Sequence, residues 1–386
     1  MCHTLIIILK IIWLNFMTLK IGIPKESVAG ESRVAIVPDT IKRLLGKNKS
    51  LEIIVEKGAG ASAYIEDESF KAVGATVGTP AKVWGADVIL KVAAPTVKEQ
   101  EKLKKGQLII GHLDPLGTPK NIKDLAKKGI NAISVEKIPR TSRAQSMDAL
   151  SSQANVAGYR AVLEATEHFK RFFPLMMTAA GSSKPAKVII LGVGVAGLQA
   201  IATAKRLGAQ VEAFDVRPEV AEQIESLGAK AITIDVGESG SGEGGYAKEL
   251  SAEGKKKQQA ELQKILAKAD IVITTAQIPG RKAPVLVTDK TVKSMKSGSV
   301  IVDMAAASGG NCPLTKMNEV TVQDGVILVG YTNYPSLVAE DSSMFYSKNL
   351  MNILNLMLQE DGTLKFDLED DIIDGALVAL DGKVRV

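Results

Sequence analysis

Residues 187–216, KVIILGVGVAGLQAIATAKRLGAQVEAFDV, restrict this chain more than any other stretch. Lys187 to Leu191 is a short apolar, β-branched run of the kind a buried parallel strand requires. Gly192, Gly194 and Gly197 follow at GxGxxG spacing and lead into a helical pattern with an apolar stripe of Leu198, Ile201, Ala202 and Leu207. Gly208 stands where a C-cap glycine belongs, and Gln210 to Phe214 reads as a second strand ending in Asp215. Strand, tight glycine turn, helix and strand in that order predict the opening βαβ unit of a doubly wound sheet.

Each glycine has a physical task. Gly192 permits the tight turn, Gly194 lets backbone approach a pyrophosphate, and Gly197 lets helix and strand pack closely. The helix N-terminus, from Val195 and Ala196, presents free N–H groups and the positive end of a dipole to phosphates. Asp215 is placed to accept hydrogen bonds from an adenosine ribose, and its charge repels a 2′-phosphate, so NAD(H) is expected in preference to NADP(H). A bare GxGxxG can serve a turn alone, but here strand, helix, second strand and acidic end agree in register.

A chain of 386 residues is long enough for two domains, each with its own core. The net charge of +5 is mild, the lysines are scattered apart from Lys255-Lys256-Lys257, and only 4% of residues are aromatic, so no stacking groove for nucleic acid is expected. Two cysteines, Cys2 and Cys312, make no disulfide framework, which fits a reducing, cytoplasmic location. Three histidines without CxxC or HExxH spacing give no basis for a metal site. Leu5 to Phe16 is too short for a membrane span and lacks a small-residue cleavage site. Residues 1–16 are therefore read as an extension, with the functional chain beginning at Met17.

From Met17 to about Arg143, strands at Leu19–Ile23, Leu51–Val55, Asp87–Val92, Gln107–Gly111 and Asn131–Val135 alternate with helices at Pro38–Gly46, Asp67–Val73, Val97–Lys104 and Pro119–Lys128. That is a first α/β domain with a mainly parallel sheet, spanning 17–146 and taking in the tail 338–386. Residues 147–186 read as a long helix, Met147 to about Arg171, and a linker. Residues 187–337 read as a Rossmann-type domain with strands at Lys187–Leu191, Gln210–Phe214, Lys230–Ile234, Ile271–Thr275, Ser299–Asp303 and Val326–Val329. Residues 236–257 form a glycine- and serine-rich connection, either a mobile lid or a tolerated surface insertion. A helix over Leu337–Leu358 follows and could pack back on the first domain.

Arg140, Arg143, Gln145 and Asp148 crowd into the segment before the long helix. Helix capping by Ser142 or Ser146, with Asp148 near the dipole, explains some of this pattern. It does not explain two arginines and a glutamine at a domain junction, where a nicotinamide ring is expected.

PRTSRAQSMDALSSQANVAGYRAV, GVGVAGLQAIATAKRLGAQVEAFDVR, GGYAKEL and TTAQIPGRKAPVL together resemble the NAD(H)-binding domain I of proton-translocating NAD(P)+ transhydrogenases, in the form of a separate alpha-type subunit. The resemblance implies that Arg140, Gln145 and Asp148, with Ser151 beside them, position the dihydronicotinamide, and that Arg143 belongs to the same loop. It further implies that the glycine-rich connection closes over NAD(H), with Gly245 and Tyr246 near the nucleotide. Gln258 matches another contact, Asp215-Val216-Arg217 match the adenosine ribose contacts, and Ala276 and Gln277 match the adenine side. The family usually has leucine where Gln277 stands.

The implied activity is direct hydride transfer from NADH to NADP+ held on a partner's NADP(H)-binding beta-subunit domain. Proton translocation would reside in a membrane-spanning subunit, placing this chain at the inner membrane only through its partners. A homodimer is implied too. No general base is needed when hydride passes from carbon to carbon, which suits a histidine-poor chain.

The alternative is an NAD-dependent amino-acid oxidoreductase. Arg33 in RVAIVP, Lys91 in ILKVAAP and His112 in GHLDP match the substrate-binding arginine and lysine and the acid–base histidine of alanine dehydrogenases. The competing reading makes Arg33 and Lys91 scaffold groups and His112 an ordinary strand-end histidine. The arginine–glutamine–aspartate loop is absent from alanine dehydrogenases and favours the first family. His168 reads as structural, and Asp303, ending a strand at the sheet's carboxyl edge, is a further candidate for the cofactor cleft.

Overall fold

The computed structural model describes residues 18–237 and 251–385. Seventeen strands occur among them. In the first third are β1 (Leu19–Ile23), β2 (Leu51–Glu56), β3 (Thr76–Gly78), β4 (Val88–Leu90), β5 (Leu108–Gly111) and β6 (Asn131–Ser134). The middle holds β7 (Met176–Thr178), β8 (Gly181–Ser183), β9 (Lys187–Leu191), β10 (Gln210–Phe214), β11 (Lys230–Ala231), β12 (Ile271–Thr274), β13 (Val300–Asp303), β14 (Val320–Gln323) and β15 (Val326–Val329). The tail adds β16 (Leu377–Leu380) and β17 (Lys383–Val384).

They fall into two units. One runs to Gln153 and resumes at Ser336, and the other is Ala154–Pro335. The helix Ala149–His168 carries the chain from the first to the second. No helix of the described residues is long and apolar enough to cross a membrane.

The first unit is an eight-stranded sheet in the order β17-β16-β6-β5-β4-β1-β2-β3. Strands β1 to β6 are parallel, and β16 joins β6 antiparallel. Strands β1, β4 and β5 are almost wholly apolar and buried, as strands covered on both faces must be. The tail helix Ala339–Met357 buries Tyr346, Leu350, Ile353, Leu354 and Met357 in this unit's core.

The second unit's sheet runs β11-β10-β9-β12-β13-β15-β14, parallel except for the antiparallel edge strand β14. Counted from β9, the parallel strands take the order 3-2-1-4-5-6 of a dinucleotide-binding sheet, and the first unit repeats that order from β1. The expected α/β class with two mainly parallel sheets is borne out.

The sequence reading differs in places. The strand expected over Lys230–Ile234 is only the two residues of β11. The helix Ala252–Leu266 takes in the end of the glycine-rich stretch, its first turn capped by the Ser251 hydroxyl, which accepts from the Gly254 N–H. Strands β3 and β14 and the β7–β8 hairpin were not anticipated.

Candidate functional site

In the second unit the switch point lies between β9 and β12, where the strand order reverses and an open α/β sheet leaves a crevice at its carboxyl edge. The glycine turn sits there. Gly192 has a φ of +92°, and a Cβ on it would meet the Thr275 hydroxyl at 2.8 Å. That hydroxyl donates to the Gly192 carbonyl at 2.8 Å, tying the turn to the end of β12. A Cβ on Gly197 would stand 2.1 Å from the Gly192 carbonyl oxygen, so only glycine fits at this helix–strand contact.

Gly194 is the N-cap of the helix Val195–Arg206, and the space beside its α-carbon is open to beyond 4 Å. Gly194 and Val195 are exposed and Ala196 is half-buried. The first-turn N–H groups of a helix have no partner within it. This is a cradle where an anion can approach backbone closely, and it fits a pyrophosphate.

Gly158, on the linking helix, carries the same constraint from another side. A Cβ there would lie 2.1 Å from the Ala196 carbonyl oxygen. The sequence reading missed this residue, although a glycine inside a long helical pattern was the available signal.

Asp215, at the end of β10, has a 6% exposed side chain. Its Oδ2 accepts from the Val193 N–H at 2.7 Å and from the Arg217 guanidinium at 2.9 Å. Its Oδ1 accepts from Arg217 twice, through the backbone N–H and Nε, both at 2.9 Å. Burial works against the carboxylate's charge, but Arg217 and the two backbone donors outweigh it and hold the carboxyl below its ordinary range. Asp215 also raises the Arg217 pKa through their hydrogen bonds. Val216 packs on the apolar cluster under β9 and β12.

Ala276 and Gln277 follow β12. Asn311 donates to the Ala276 and Pro284 carbonyls at 2.9 and 2.7 Å, and the exposed Gln277 amide donates to the Met304 carbonyl at 3.0 Å. Gln258 is buried on the helix Ala252–Leu266. Gly245 and Tyr246, like residues 1–17, lie outside the described residues.

Asp303 is a correction. It does not face a cleft: it is fully buried and accepts from the Thr274 hydroxyl and the backbone N–H groups of Ala305, Asn311 and Cys312 at 2.9 to 3.1 Å. Its role is to fold the loop that follows β13. Cys312 is a buried free thiol in that loop.

The arginine–glutamine–aspartate segment belongs to the first unit. Arg140 is exposed, and Gln145, also exposed, opens a short 3₁₀ turn, Gln145–Met147. Asp148 accepts from the Ser151 N–H at 2.8 Å and the Ser151 hydroxyl at 2.6 Å, fastening the segment to the start of the linking helix. The Ser146 carbonyl accepts from Asn349 at 2.9 Å and Asn352 at 3.1 Å, both on the tail helix. These two asparagines were invisible to motif reading, because they lie more than 200 residues downstream. Arg143 is spoken for: it bonds both oxygens of Asp370 at 2.6 and 2.9 Å and also pairs with Asp371.

At the first unit's own switch point, between β1 and β4, the carboxyl edge is filled from within. Lys91, 0% exposed, lies 2.9 Å from Glu26 and 3.2 Å from Glu99. Arg33 bonds Glu31 at 2.7 and 2.8 Å and donates to Gln153 at 2.8 Å. His112 stacks on buried Tyr346 at 5.4 Å and faces Glu136 at 3.5 Å. Burial opposes charge on Glu31 and Glu136, yet Arg33 and Ser336 bring the first, and His112 and Ser134 the second, down to about 2. For Glu26 burial wins over Lys91, and its pKa is raised. The scaffold reading of Arg33 and Lys91 holds. The described residues contain no group of acidic, histidine and cysteine side chains that could hold a metal ion.

Comparison with known proteins agrees with this geometry. The chain matches two family descriptions, "Alanine dehydrogenase/PNT, N-terminal domain" over residues 22–157 and "Alanine dehydrogenase/PNT, C-terminal domain" over 161–386. It is 49% identical to the leading segment of NAD(P) transhydrogenase subunit alpha of Rhodospirillum rubrum, covering 95% of this chain and 97% of that one. Alanine dehydrogenase of Bacillus subtilis is 28% identical over 94% of this chain and 92% of that one. A crystal structure of transhydrogenase from Sinorhizobium meliloti superposes with a TM-score of 0.87 at 43% identity, over 95% and 99% of the two chains. An L-alanine dehydrogenase structure gives 0.78 at 25% identity, over 95% and 96%.

Proposed function

We propose that this chain, which belongs to the alanine dehydrogenase/PNT family, is the NAD(H)-binding subunit of a proton-translocating transhydrogenase. The observation that carries the choice within the family is the state of Arg33 and Lys91. An amino-acid dehydrogenase needs such cations to receive a substrate carboxylate, and here the protein's own Glu31, Glu26 and Glu99 take them. Opposite charges at these distances in a buried setting are not given up for a small acid without leaving carboxylates uncompensated. The similarity to a transhydrogenase alpha segment across nearly its full length supports the same choice.

NADH, when bound, supplies the hydride for NADP+ held on a partner domain. The rest falls to this chain's residues. The cradle at Gly192, Gly194, Val195, Ala196 and Gly197 takes the pyrophosphate on backbone N–H groups, and Asp215 with Val216 and Arg217 takes the adenosine ribose. Ala276, Gln277 and Gln258 belong to the same binding surface, as do Gly245 and Tyr246. Arg140, Gln145 and Asp148, with Ser151 fixing the aspartate, provide donors and acceptors for a carboxamide. Their rigid seating restricts the ring's motion, which is where a reaction without acid–base chemistry finds its rate enhancement. Arg143 supports the segment through Asp370 and Asp371 rather than touching the ring. The chain works as a homodimer beside a membrane-spanning subunit and an NADP(H)-binding beta-subunit domain, and proton movement belongs to those partners.

The test is an assay of the purified chain with NAD+ and L-alanine, and then with NADH, an NADP+ analogue and an added NADP(H)-binding domain. Transfer seen only with the added domain is the expected result. Robust alanine-dependent NADH formation by the chain alone would overturn the proposal.

A further inference from the structure

The second unit has a cleft of about 260 Å³ at the amino-terminal edge of its sheet, the edge opposite the glycine turn. Lys187 opens β9, and Asp270 immediately precedes β12. Five cationic side chains line the cleft, those of Arg171, Lys184, Lys187, Lys268 and Lys296, against one carboxylate, Asp270. The whole chain has a net charge of only +5, so this is a strong local concentration of positive charge.

The cations are held in place. Asp270 is almost fully buried, and its Oδ2 accepts from the Lys187 N–H at 2.9 Å. Its Oδ1 accepts from Arg171 at 3.2 Å and Lys296 at 3.0 Å. A single carboxylate thus anchors two cations whose remaining donors stay available, since a guanidinium has five N–H groups and an ammonium three. Lys187 is paired with Glu212 at 3.1 Å. Among the described residues, the ammonium groups of Lys184 and Lys268 have no hydrogen-bond or carboxylate partner. Like charges gathered this closely repel, and an anion between them removes that cost.

We propose that this cleft binds a phosphoryl group, separately from the nucleotide site. Its volume lies below the ~300–1,000 Å³ of pockets that enclose whole organic ligands, so it suits one phosphate and not a complete nucleotide. Arg171 supplies the planar fork that matches phosphate oxygens, and Lys184, Lys268 and Lys296 supply point charges around it. The group can belong to free inorganic phosphate or to an anionic phospholipid head.

The test uses the full chain, with inorganic phosphate titrated at constant ionic strength and followed by calorimetry. In parallel, co-sedimentation compares phosphatidylglycerol vesicles with phosphatidylcholine vesicles. Each is repeated with Lys184→Gln/Lys268→Gln, and with Lys268→Gln alone, whose exposed ammonium has no structural partner. The expected result is saturable binding in at least one arm, weakened about tenfold by the double substitution. Response to free phosphate identifies a small-anion site, and response only to phosphatidylglycerol identifies a lipid head. Wild type and variants indistinguishable in both arms would overturn the proposal, because phosphate bound at the glycine turn is insensitive to these lysines.

Discussion

Arg217 closes over Asp215 through its backbone N–H, Nε and a terminal guanidinium nitrogen, and with the Val193 N–H these donors fill both carboxylate oxygens. Two consequences follow for the ribose subsite. Asp215 offers a ribose hydroxyl an acceptor only when a donor of Arg217 gives way, and the charge meant to repel a 2′-phosphate is partly offset by a cation two residues on.

Replacing Asp215 by Asn is therefore expected to weaken NADH binding about tenfold, the range for losing charge-assisted hydrogen bonds. Arg217, released from its partner, should at the same time improve NADPH binding, so the preference for NADH narrows by more than the loss of NADH affinity alone. Isothermal titration of both nucleotides measures this. Unchanged NADH affinity in Asp215→Asn would remove Asp215 from the ribose subsite.

The two arginines of the first-unit segment should behave differently. Arg140→Ala and Gln145→Ala are expected to lower the rate of hydride transfer by about tenfold or more while changing NADH affinity less, the pattern of lost orientation. Arg143→Ala should have a smaller effect, because its partners are Asp370 and Asp371 and its ion pairs are exposed, where solvent screens them. Stopped-flow transfer rates beside NADH affinities separate the two. Equal losses for Arg140 and Arg143 would contradict the division of roles.

Gly158→Ala tests the backing of the glycine turn. The new Cβ would stand 2.1 Å from the Ala196 carbonyl oxygen, and backbone cannot rotate away as a side chain can. A destabilisation of about 1–3 kcal/mol is expected, with weaker NADH binding, because the displaced residue opens the helix that carries the cradle. Thermal unfolding with and without NADH checks both. A variant as stable as wild type would show that the linking helix shifts freely.

The glycine-centred half of the molecule was legible because local chemistry determines it: β9, β10 and β15 match the expected bounds residue for residue. Strands β3, β14 and the β7–β8 hairpin were not legible. They are short or exposed edge pieces, without the burial that imprints an apolar pattern. The binding residues were readable as residue types, but their supports were not. Asn349 under Ser146, Asp370 against Arg143 and Gln153 against Arg33 are tertiary choices made across more than 100 residues, and no spacing rule encodes them. The placing of Asp303 failed for a related reason. A carboxylate at a strand's carboxyl end can turn inward to bind loop N–H groups as readily as outward to a ligand.

Glu31 and Glu136 set the acid stability of the first unit. Both carboxyls have pKa values depressed from 4.5 to about 2 in the folded chain. A carboxyl depressed by folding contributes stability that is fully present above its unfolded pKa and is lost as pH falls through the folded one. The loss should therefore run from about pH 4.5 down to about pH 2. Glu26, raised by burial, acts in the opposite sense, since the folded state then holds its proton more tightly than the unfolded chain does. Glu31→Gln removes one source of the acid-limb slope and leaves Arg33 buried beside a neutral amide, at a cost on the order of 3–5 kcal/mol. Denaturant unfolding of the first unit, followed from pH 7 to pH 2, should show lower stability for Glu31→Gln at pH 7 and a gap to wild type that closes toward pH 2. The same variant gives Arg33 back a free face, so retained inactivity with L-alanine would indicate that more than this ion pair separates the chain from an amino-acid dehydrogenase. Parallel curves with a constant gap would mean that Glu31 is not the group whose protonation is felt.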